Sequence, residues 1–355
     1  MGNLKTNLNK RFWKNKKILI TGVTGFKGSW LSLIFYNMGL KITGIGLDPP
    51  KNHNLFNLLN LKKKINYYKC NINNKKNLNK ILKKINPDII FHFAAQSLVI
   101  EGYKHPIKTY KTNIIGSSNL FECILNIKKK MHILITTTDK VYKNQSLKKS
   151  FSEKDTLGGN DPYSASKAAL EVICDYYNYK LKNNNKILNI ARSGNVIGGG
   201  DFSKDRIFPD IYKSIKNKTT LSIRNPNSVR PWQHVLEPLY GYLRIVEKSN
   251  KTRLKSNAFN FGPHNNQSIS VKEILKITQT FYPRLKYQIK AKQEFYESSY
   301  LFLNSALVKK YIFYEQIWNI NKTVSKTINW YLDFLKKKDV LKISIQDIND
   351  FEKNF

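Results

Sequence analysis

The run KKILITGVTGFKGSWLSLIFYNMGLKITGIGLDPP, residues 16–50, constrains the fold more than any other part of the chain. A β-branched stretch, ILIT, leads at once into Gly22, Gly25 and Gly28, then into FKGSWLSLIFYNMG with helical spacing, then into a second apolar run. Strand, glycine turn, helix and strand make the βαβ unit, whose two strands lie parallel in one sheet. The rhythm continues through INYYKC, PDIIFHFAA, MHILITTT and KILNIARSGNV, separated by charged segments such as PIKTYKTNIIGSSNLFECILNIKKK that read as helices.

The expectation is an α/β fold, a Rossmann-type doubly wound parallel sheet over residues 12–197, with some later segments returning to it. From about Gly198 the pattern changes to a loop rich in Gly, Asp and Pro and then to mixed short elements, so residues 198–335 are expected mainly as a smaller mixed α/β substrate-binding lobe. Residues 1–11 and 336–355 read as polar tails.

Three glycines between a strand and a helix permit a tight turn and the approach of a pyrophosphate to the backbone. Gly22, Thr24, Gly25, Phe26, Lys27 and Gly28 are therefore candidate cofactor residues. Asp48 ends the second strand twenty-odd residues later, where a carboxylate bonds adenosine ribose hydroxyls and repels a 2′-phosphate, which favours NAD over NADP. The alternative for Asp48 is a turn residue ahead of Pro49. Ala94 and Ala95 end the fourth strand and leave room for a cofactor against the backbone, though such alanines also serve plain packing.

A formal charge of +37 raises nucleic-acid binding, but only eight of the 61 basic residues are Arg, and the Lys are scattered beside Asn and Ile. A recognition surface favours clustered Arg and aromatic platforms, so no nucleic-acid partner is expected. No apolar run has the length of a membrane span, and the polar, basic start lacks a secretory apolar region, so a cytoplasmic protein without a membrane partner is expected. Cys70, Cys123 and Cys174 lie far apart and form no ligand pattern, so no metal site and no disulfide framework is expected.

Tyr163 and Lys167 in DPYSASKAAL are four residues apart and share one face of a helix. An ammonium and a cationic nicotinamide both favour the phenolate, the base that hydride abstraction from an alcohol needs. With the upstream glycine loop, this pair resembles the extended short-chain dehydrogenase/reductase family over most of the chain. In that family the segment after the fifth strand selects the chemistry. Here TTTDKVY presents Thr138, Asp139 and Lys140, and such an acidic residue with a second proton-transfer residue resembles the nucleotide-sugar 4,6-dehydratases rather than the epimerases. The Asp-Lys form, with FWKNKKILITGVTGFKGSWLS, HFAAQSLV, GGNDPYSASKAALE, ARSGNVIGGGDFSKDRIFPDI and RNPNSVRPWQHVLEPL, resembles the branch acting on CDP-glucose, across roughly residues 12–335.

The resemblance implies that Tyr163 deprotonates the glucose 4-hydroxyl, that Thr138 bonds the same oxygen, and that Lys167 holds the ribose and the phenolate. It implies Lys140 as base at C5 and Asp139 as acid at the C6 hydroxyl. Asn195, Arg206 and Arg230 are expected on the substrate diphosphate, with amide donors from Asn and a bidentate fork from Arg. Arg192 and Arg224 read as surface or interdomain charges. A homodimer, or a tetramer built from it, is implied, formed by the helix of PIKTYKTNIIGSSNLFECIL and the helix of Tyr163. Deoxysugar biosynthesis for lipopolysaccharide O-antigen is the implied setting.

Three departures from the family pattern stand out. Asn71 and Ile72 replace an Asp-Ile pair at the adenine, and weaker NAD retention is the expected consequence. Ile100, Glu101 and Gly102 lie where relatives carry basic or polar residues followed by Ser, and Asn304 lies where they carry Asp. The rival readings are an epimerase or another 4-oxidising member of the same family, which needs no Asp139 or Lys140, a 4,6-dehydratase acting on a different nucleotide sugar, and a basic nucleic-acid or scaffold protein on a degenerate dehydrogenase fold.

Overall fold

The computed structural model describes all residues except 1–7, 51–52, 144–147, 252–253, 255, 264–267 and 291–297. Seven strands form one parallel sheet: β1 (Ile18–Thr21), β2 (Thr43–Gly46), β3 (Asn66–Lys69), β4 (Ile89–His92), β5 (Met131–Thr138), β6 (Lys186–Ser193) and β7 (Ala258–Phe261). Their order, β7-β6-β5-β4-β1-β2-β3, reverses direction between β1 and β4. That is the switch point of a doubly wound sheet, where a crevice opens beyond the strand carboxyl ends.

β1, β2, β4 and β5 are buried along their whole length, which explains near-continuous apolar runs rather than alternation. Two layers of apolar side chains cover the faces. On one face Trp13, Trp30, Phe35, Phe91 and Tyr242 pack together. On the other, Leu120, Phe121 and Ile124 meet Leu170, Cys174 and Tyr177.

The helices that matter for the site are α1 (Phe26–Asn37), α2 (Ser117–Leu125), α3 (Pro162–Lys182) and α4 (Leu236–Lys251). The expected single helix over residues 106–125 is interrupted by a π-helical turn, Lys111–Gly116. Asn113 within it is fully buried, donates to the Gln96 carbonyl (2.9 Å) and Ser166 Oγ (2.8 Å), and accepts from the Gln96 amide (2.8 Å). Gly116 faces Ile72, where a Cβ would come within 2.6 Å of its side chain. The wider turn lets a polar side chain face inward without an unmet bond.

Residues 336–355 are not the expected polar tail. Helix α5 (Ile320–Leu335) is followed by α6 (Val340–Glu352), and Ile343, Ile348, Phe351 and Phe355 are buried in the main core. Phe351 packs on Trp318 (5.1 Å between rings) and Tyr240 (5.0 Å), and Tyr240 donates to Glu352 (2.6 Å). Of the helix's charges, Lys342 and Lys353 are exposed, as on any amphipathic helix, whereas Asp347 is buried and pairs with Lys326 (3.0 Å). Of the amino-terminal tail, residues 1–7 lie outside the described residues; Asn9 bonds Glu247 through its amide (2.7 Å) just before Trp13 enters the core.

Candidate active site

The glycine loop closes because two of its glycines face backbone. Gly22 has φ +69°, and a Cβ there would meet the Ala94 nitrogen at 2.6 Å. At Gly28 a Cβ would meet the Gly22 carbonyl oxygen at 2.4 Å, so α1 packs directly on the turn. Gly25 differs: it is the N-cap of α1 with φ −81°, its nearest would-be contact is Gly22 O at 3.2 Å, and no side chain caps the helix. Uncapped first-turn amides of this kind can hold an anion such as a pyrophosphate. Thr24 and Phe26 flank it; the Thr24 carbonyl accepts from Asn54 (3.1 Å), and Phe26 lies near Gly198. Ala94 takes a bond from its amide to Thr21 Oγ1 (3.3 Å), and Ala95 is half-buried beside it.

Asp48 lies just beyond β2, exposed, in an ion pair with Lys69 at the end of β3. The Asn71 side-chain oxygen accepts from the Asn73 amide (3.0 Å), forming a local turn, and Ile72 is buried. The Ile72 carbonyl accepts from Asn119 (3.1 Å).

α3 carries the Tyr163/Lys167 pair. Asp161 caps it, accepting from the amides of Tyr163 (2.9 Å) and Ser164 (3.0 Å), and Pro162 at the first turn has no amide to satisfy. Tyr163 and Lys167 are buried against the end of β5. Burial raises the Tyr163 phenol to about 12, opposed by its hydrogen bond with Thr138 and by the Arg206 charge. Burial lowers the Lys167 ammonium to about 8, while Lys167 donates to the Thr136 carbonyl (3.1 Å).

Thr138 ends β5 and Asp139 begins a 3-10 turn, Asp139–Val141. Thr138 donates to Asp139 Oδ1 (2.9 Å) and accepts from the Lys140 amide (3.4 Å). Asp139 is 2% exposed, and its Oδ2 has no hydrogen-bond partner among the described residues. Burial raises its pKa, against the pull of Lys140, Thr138, Arg230 and Lys27. An unpartnered buried carboxyl oxygen is costly unless it is protonated or meets a ligand.

Lys27 reaches across the crevice floor to Ser193 Oγ at the end of β6 and to the Tyr242 hydroxyl (3.3 Å). Burial lowers it to about 7, helped by Arg206 and Lys167 and opposed by Asp139. Arg206 bonds Asp201 (2.9 Å) and acts on both Tyr163 and Lys27. Arg230 is buried and donates to the Val229 carbonyl (2.9 Å). Asn195 is half-buried, with its carbonyl accepting from the Gln233 amide (3.0 Å).

Arg192 is not the surface or interdomain charge expected. It is buried in a fork on Glu171 of α3 and donates to the Tyr142 hydroxyl (2.7 Å). The one sequence sign was the position of Glu171, four residues after Lys167 on the same helical face. Arg224 is exposed and pairs with Asp205 (3.5 Å). Ile100, Glu101 and Gly102 lie on a short helix, Val99–Lys104, whose Gly102 abuts the Tyr163 backbone, and Asn304 caps a turn by accepting from the Ala306 amide (2.9 Å). Among the described residues no group of three or more His, Cys, Asp or Glu side chains is placed to hold a metal ion.

A family model described as GDP-mannose 4,6 dehydratase matches residues 19–300, from β1 through the crevice to the later lobe. The chain belongs to the GDP-mannose 4,6-dehydratase family. Among curated members similar to it, a CDP-glucose 4,6-dehydratase of Salmonella typhimurium is 34% identical over 352 residues, covering 97% of this chain and 98% of the relative. The fold of this dehydratase-family chain is shared with a UDP-glucose 4-epimerase of Thermotoga maritima solved with UDP-glucose (TM-score 0.78, 20% identity, 90% and 99% of the two chains). It is shared too with a dTDP-glucose 4,6-dehydratase of Bacillus anthracis solved with NAD (TM-score 0.73, 22% identity, 92% and 99%).

Proposed function

We propose that the protein removes water from CDP-glucose to give CDP-4-keto-6-deoxyglucose, with NAD as a cofactor regenerated in each cycle. Asp139 carries this reading: a buried carboxyl held toward its protonated form, with one oxygen fixed by Thr138 and the other unpartnered, next to the hydroxyl that reaches Tyr163. An acid set there has work in an elimination and none in a 4-epimerisation. The near full-length likeness to a CDP-glucose 4,6-dehydratase supports the same reading.

The crevice residues fit the dinucleotide. Gly22, Thr24, Gly25, Phe26, Lys27 and Gly28 would surround the pyrophosphate, Asp48 the adenosine ribose, Asn71 and Ile72 the adenine, and Ala94 and Ala95 the backbone side of the pocket. When bound, NAD supplies a reversible hydride acceptor. Tyr163 takes the proton of the C4 hydroxyl and Thr138 bonds that oxygen, while Lys167 holds the nicotinamide ribose and its charge favours the phenolate. The resulting 4-ketone acidifies C5. Lys140 removes the C5 proton, and Asp139 protonates the departing C6 hydroxyl; burial of Asp139 suits that role. Asn195, Arg206 and Arg230 hold the diphosphate, with Arg206 preset by Asp201 and Arg230 by backbone carbonyls.

Residues 198–335 form mainly the substrate lobe, apart from β7 and α4, which belong to the core, and α6 beyond them packs on the core as well. The chain acts in the cytoplasm as a homodimer, or as a tetramer built from it, in deoxysugar supply for cell-surface O-antigen. The dimer reading is supported by an apolar stripe on α3, Val172, Tyr176 and Tyr179, 60%, 58% and 67% exposed, beside exposed Ile107 and Ile115 of the neighbouring helical segment. No described helix is long and apolar enough to cross a membrane.

The test incubates the protein with CDP-glucose, dTDP-glucose, UDP-glucose or GDP-mannose, with and without NAD, and follows product mass. Loss of one water, fastest from CDP-glucose, is the expected result. An unchanged mass with a new stereoisomer would replace the reading by epimerisation, and no turnover with NAD present would remove it.

A further inference from the structure

Behind the crevice lies a second layer of polar side chains that touches no reacting atom. The last three residues of β5 are each tied to α3. Lys167 donates to the Thr136 carbonyl (3.1 Å), the Thr137 hydroxyl donates to Glu171, and Thr138 reaches Tyr163. Residues 163, 167 and 171 thus form three rungs, four apart on one helix face, against three consecutive threonines. Glu171 is the inner rung, 1% exposed, and carries a full charge partner: Arg192 on β6, whose Nε lies 2.8 Å from Oε2 and whose Nη2 completes the fork.

Arg192 has a second arm. Its Nη1 donates to the Tyr142 hydroxyl (2.7 Å), and that hydroxyl donates to Asn260 Oδ1 on β7 (2.6 Å). The Asn260 amide in turn donates to Glu153 (2.7 Å). Tyr142 stands two residues after Lys140, directly past the turn that presents Asp139 and Lys140. Arg192 therefore ties the helix of Tyr163 to the turn of Asp139. A charged pair this deep is kept at a desolvation cost that packing alone would avoid, so a positional role is its best-attested use.

We infer that Glu171, Arg192 and Tyr142 are positioning residues, with Glu171 setting α3 against β5 and the Arg192–Tyr142 arm setting Asp139 and Lys140 for the water-elimination half of the reaction. The inference rests on the dehydratase reading. It separates the two halves of the chemistry: the Lys167 rung holds the oxidation side independently, while the Tyr142 arm serves only the turn. The backbone of that turn is also pinned by Gly158 to the Val141 carbonyl (2.7 Å), so loss of the arm shifts the turn without releasing it.

Tyr142→Phe removes the hydroxyl and keeps the ring, which stacks on Phe151 at 5.0 Å. Arg192→Lys keeps the charge and loses the second arm. Single-turnover mixing with CDP-glucose and NAD would read reduced nicotinamide by absorbance and product by mass. Since a misplacement of about 1 Å costs on the order of 100-fold, each variant is expected to slow elimination by about 10-fold or more. The rate of nicotinamide reduction should stay within about twofold of wild type, so that reduced cofactor accumulates on the enzyme. Equal slowing of both halves, together with a fall in the melting midpoint, would show a merely structural pair and overturn the inference; so would full elimination in both variants. A wild-type control that neither reduces the cofactor nor loses water refutes the dehydratase reading itself, a result distinguishable from any variant effect.

Discussion

The glycine loop separates a folding requirement from a binding requirement at neighbouring positions. Gly22→Ala places a Cβ 2.6 Å from the Ala94 nitrogen and 2.7 Å from the Phe93 carbonyl carbon, at φ +69°. The left-handed backbone costs an L-residue roughly 1–2 kcal/mol, and overpacking against backbone adds about 1–3 kcal/mol, so a loss of about 2–5 kcal/mol is expected. For a chain of 355 residues, unfolding entropy of about 2.1 cal/mol/K per residue makes each kcal/mol worth a little over 1 °C, or about 3–7 °C in all. Gly25→Ala has an ordinary φ of −81° and only one near contact, at 3.2 Å. Its melting midpoint should move by less than about 1 °C, while its methyl stands at the uncapped helix start where the pyrophosphate would lie. Calorimetric unfolding of both variants, with NAD titration by intrinsic fluorescence, tests the pair. Gly22→Ala should lose stability foremost, and Gly25→Ala should lose NAD affinity by about 10-fold or more at unchanged stability. A Gly25→Ala variant that binds NAD as wild type does would refute the placement of the cofactor at this helix, and an unshifted Gly22→Ala midpoint would refute the steric argument.

Three further outcomes follow from the geometry. Asp48→Asn removes the carboxylate and leaves Lys69 facing the ribose site, so the preference for NAD over NADP should narrow by about 10-fold or more in steady-state kinetics; an unchanged preference would place the ribose elsewhere. If the proposed dimer forms through α3, Val172→Asp with Tyr176→Lys on its exposed face should convert it to monomer in analytical ultracentrifugation while leaving the fold intact; a wild-type monomer, or an unchanged sedimentation coefficient in the variant, would count against that face. Burial holds the imidazoles of His92, His132 and His234 down to about 3, about 4 and about 3. An unfolded imidazole binds its proton near about 6.5, so the stability these rings contribute is complete above that pH and is lost as pH falls toward 4, at up to about 1.4 kcal/mol per pH unit each. Glu237 and Asp347, raised by burial to about 7 and about 6, act in the opposite direction but equally in a variant. Urea unfolding of His132→Gln between pH 7 and pH 5 should therefore show a shallower acid loss than wild type, and parallel curves would contradict the shift.

Much of the architecture was legible because it is written in local pattern. Strand ILIT, the three glycines and the helix behind them give a βαβ start with no tertiary information, since strand, turn and helix are each encoded in contiguous residues. The four-residue spacing of Tyr163 and Lys167 put both on one face for the same reason. What sequence could not supply is which side chains meet across the sheet. Residues 336–355 read as a tail because their charges are dense, yet Ile343, Ile348 and Phe351 find a core provided by Tyr240 and Trp318, about a hundred and about twenty to thirty residues away in the chain. Within the π turn at Lys111–Gly116, Asn113 bonds Gln96 and Ser166, partners distant in sequence that no local pattern reveals. Arg192 looked like any basic residue until β6 aligned Arg192 with Thr137 of β5 and α3 brought Glu171 above them. Residue type and spacing determine local geometry and the succession of strands and helices, whereas burial, and with it the protonation of Asp139, Lys27 and Lys167, is a property of the assembled low-dielectric interior that no single segment contains.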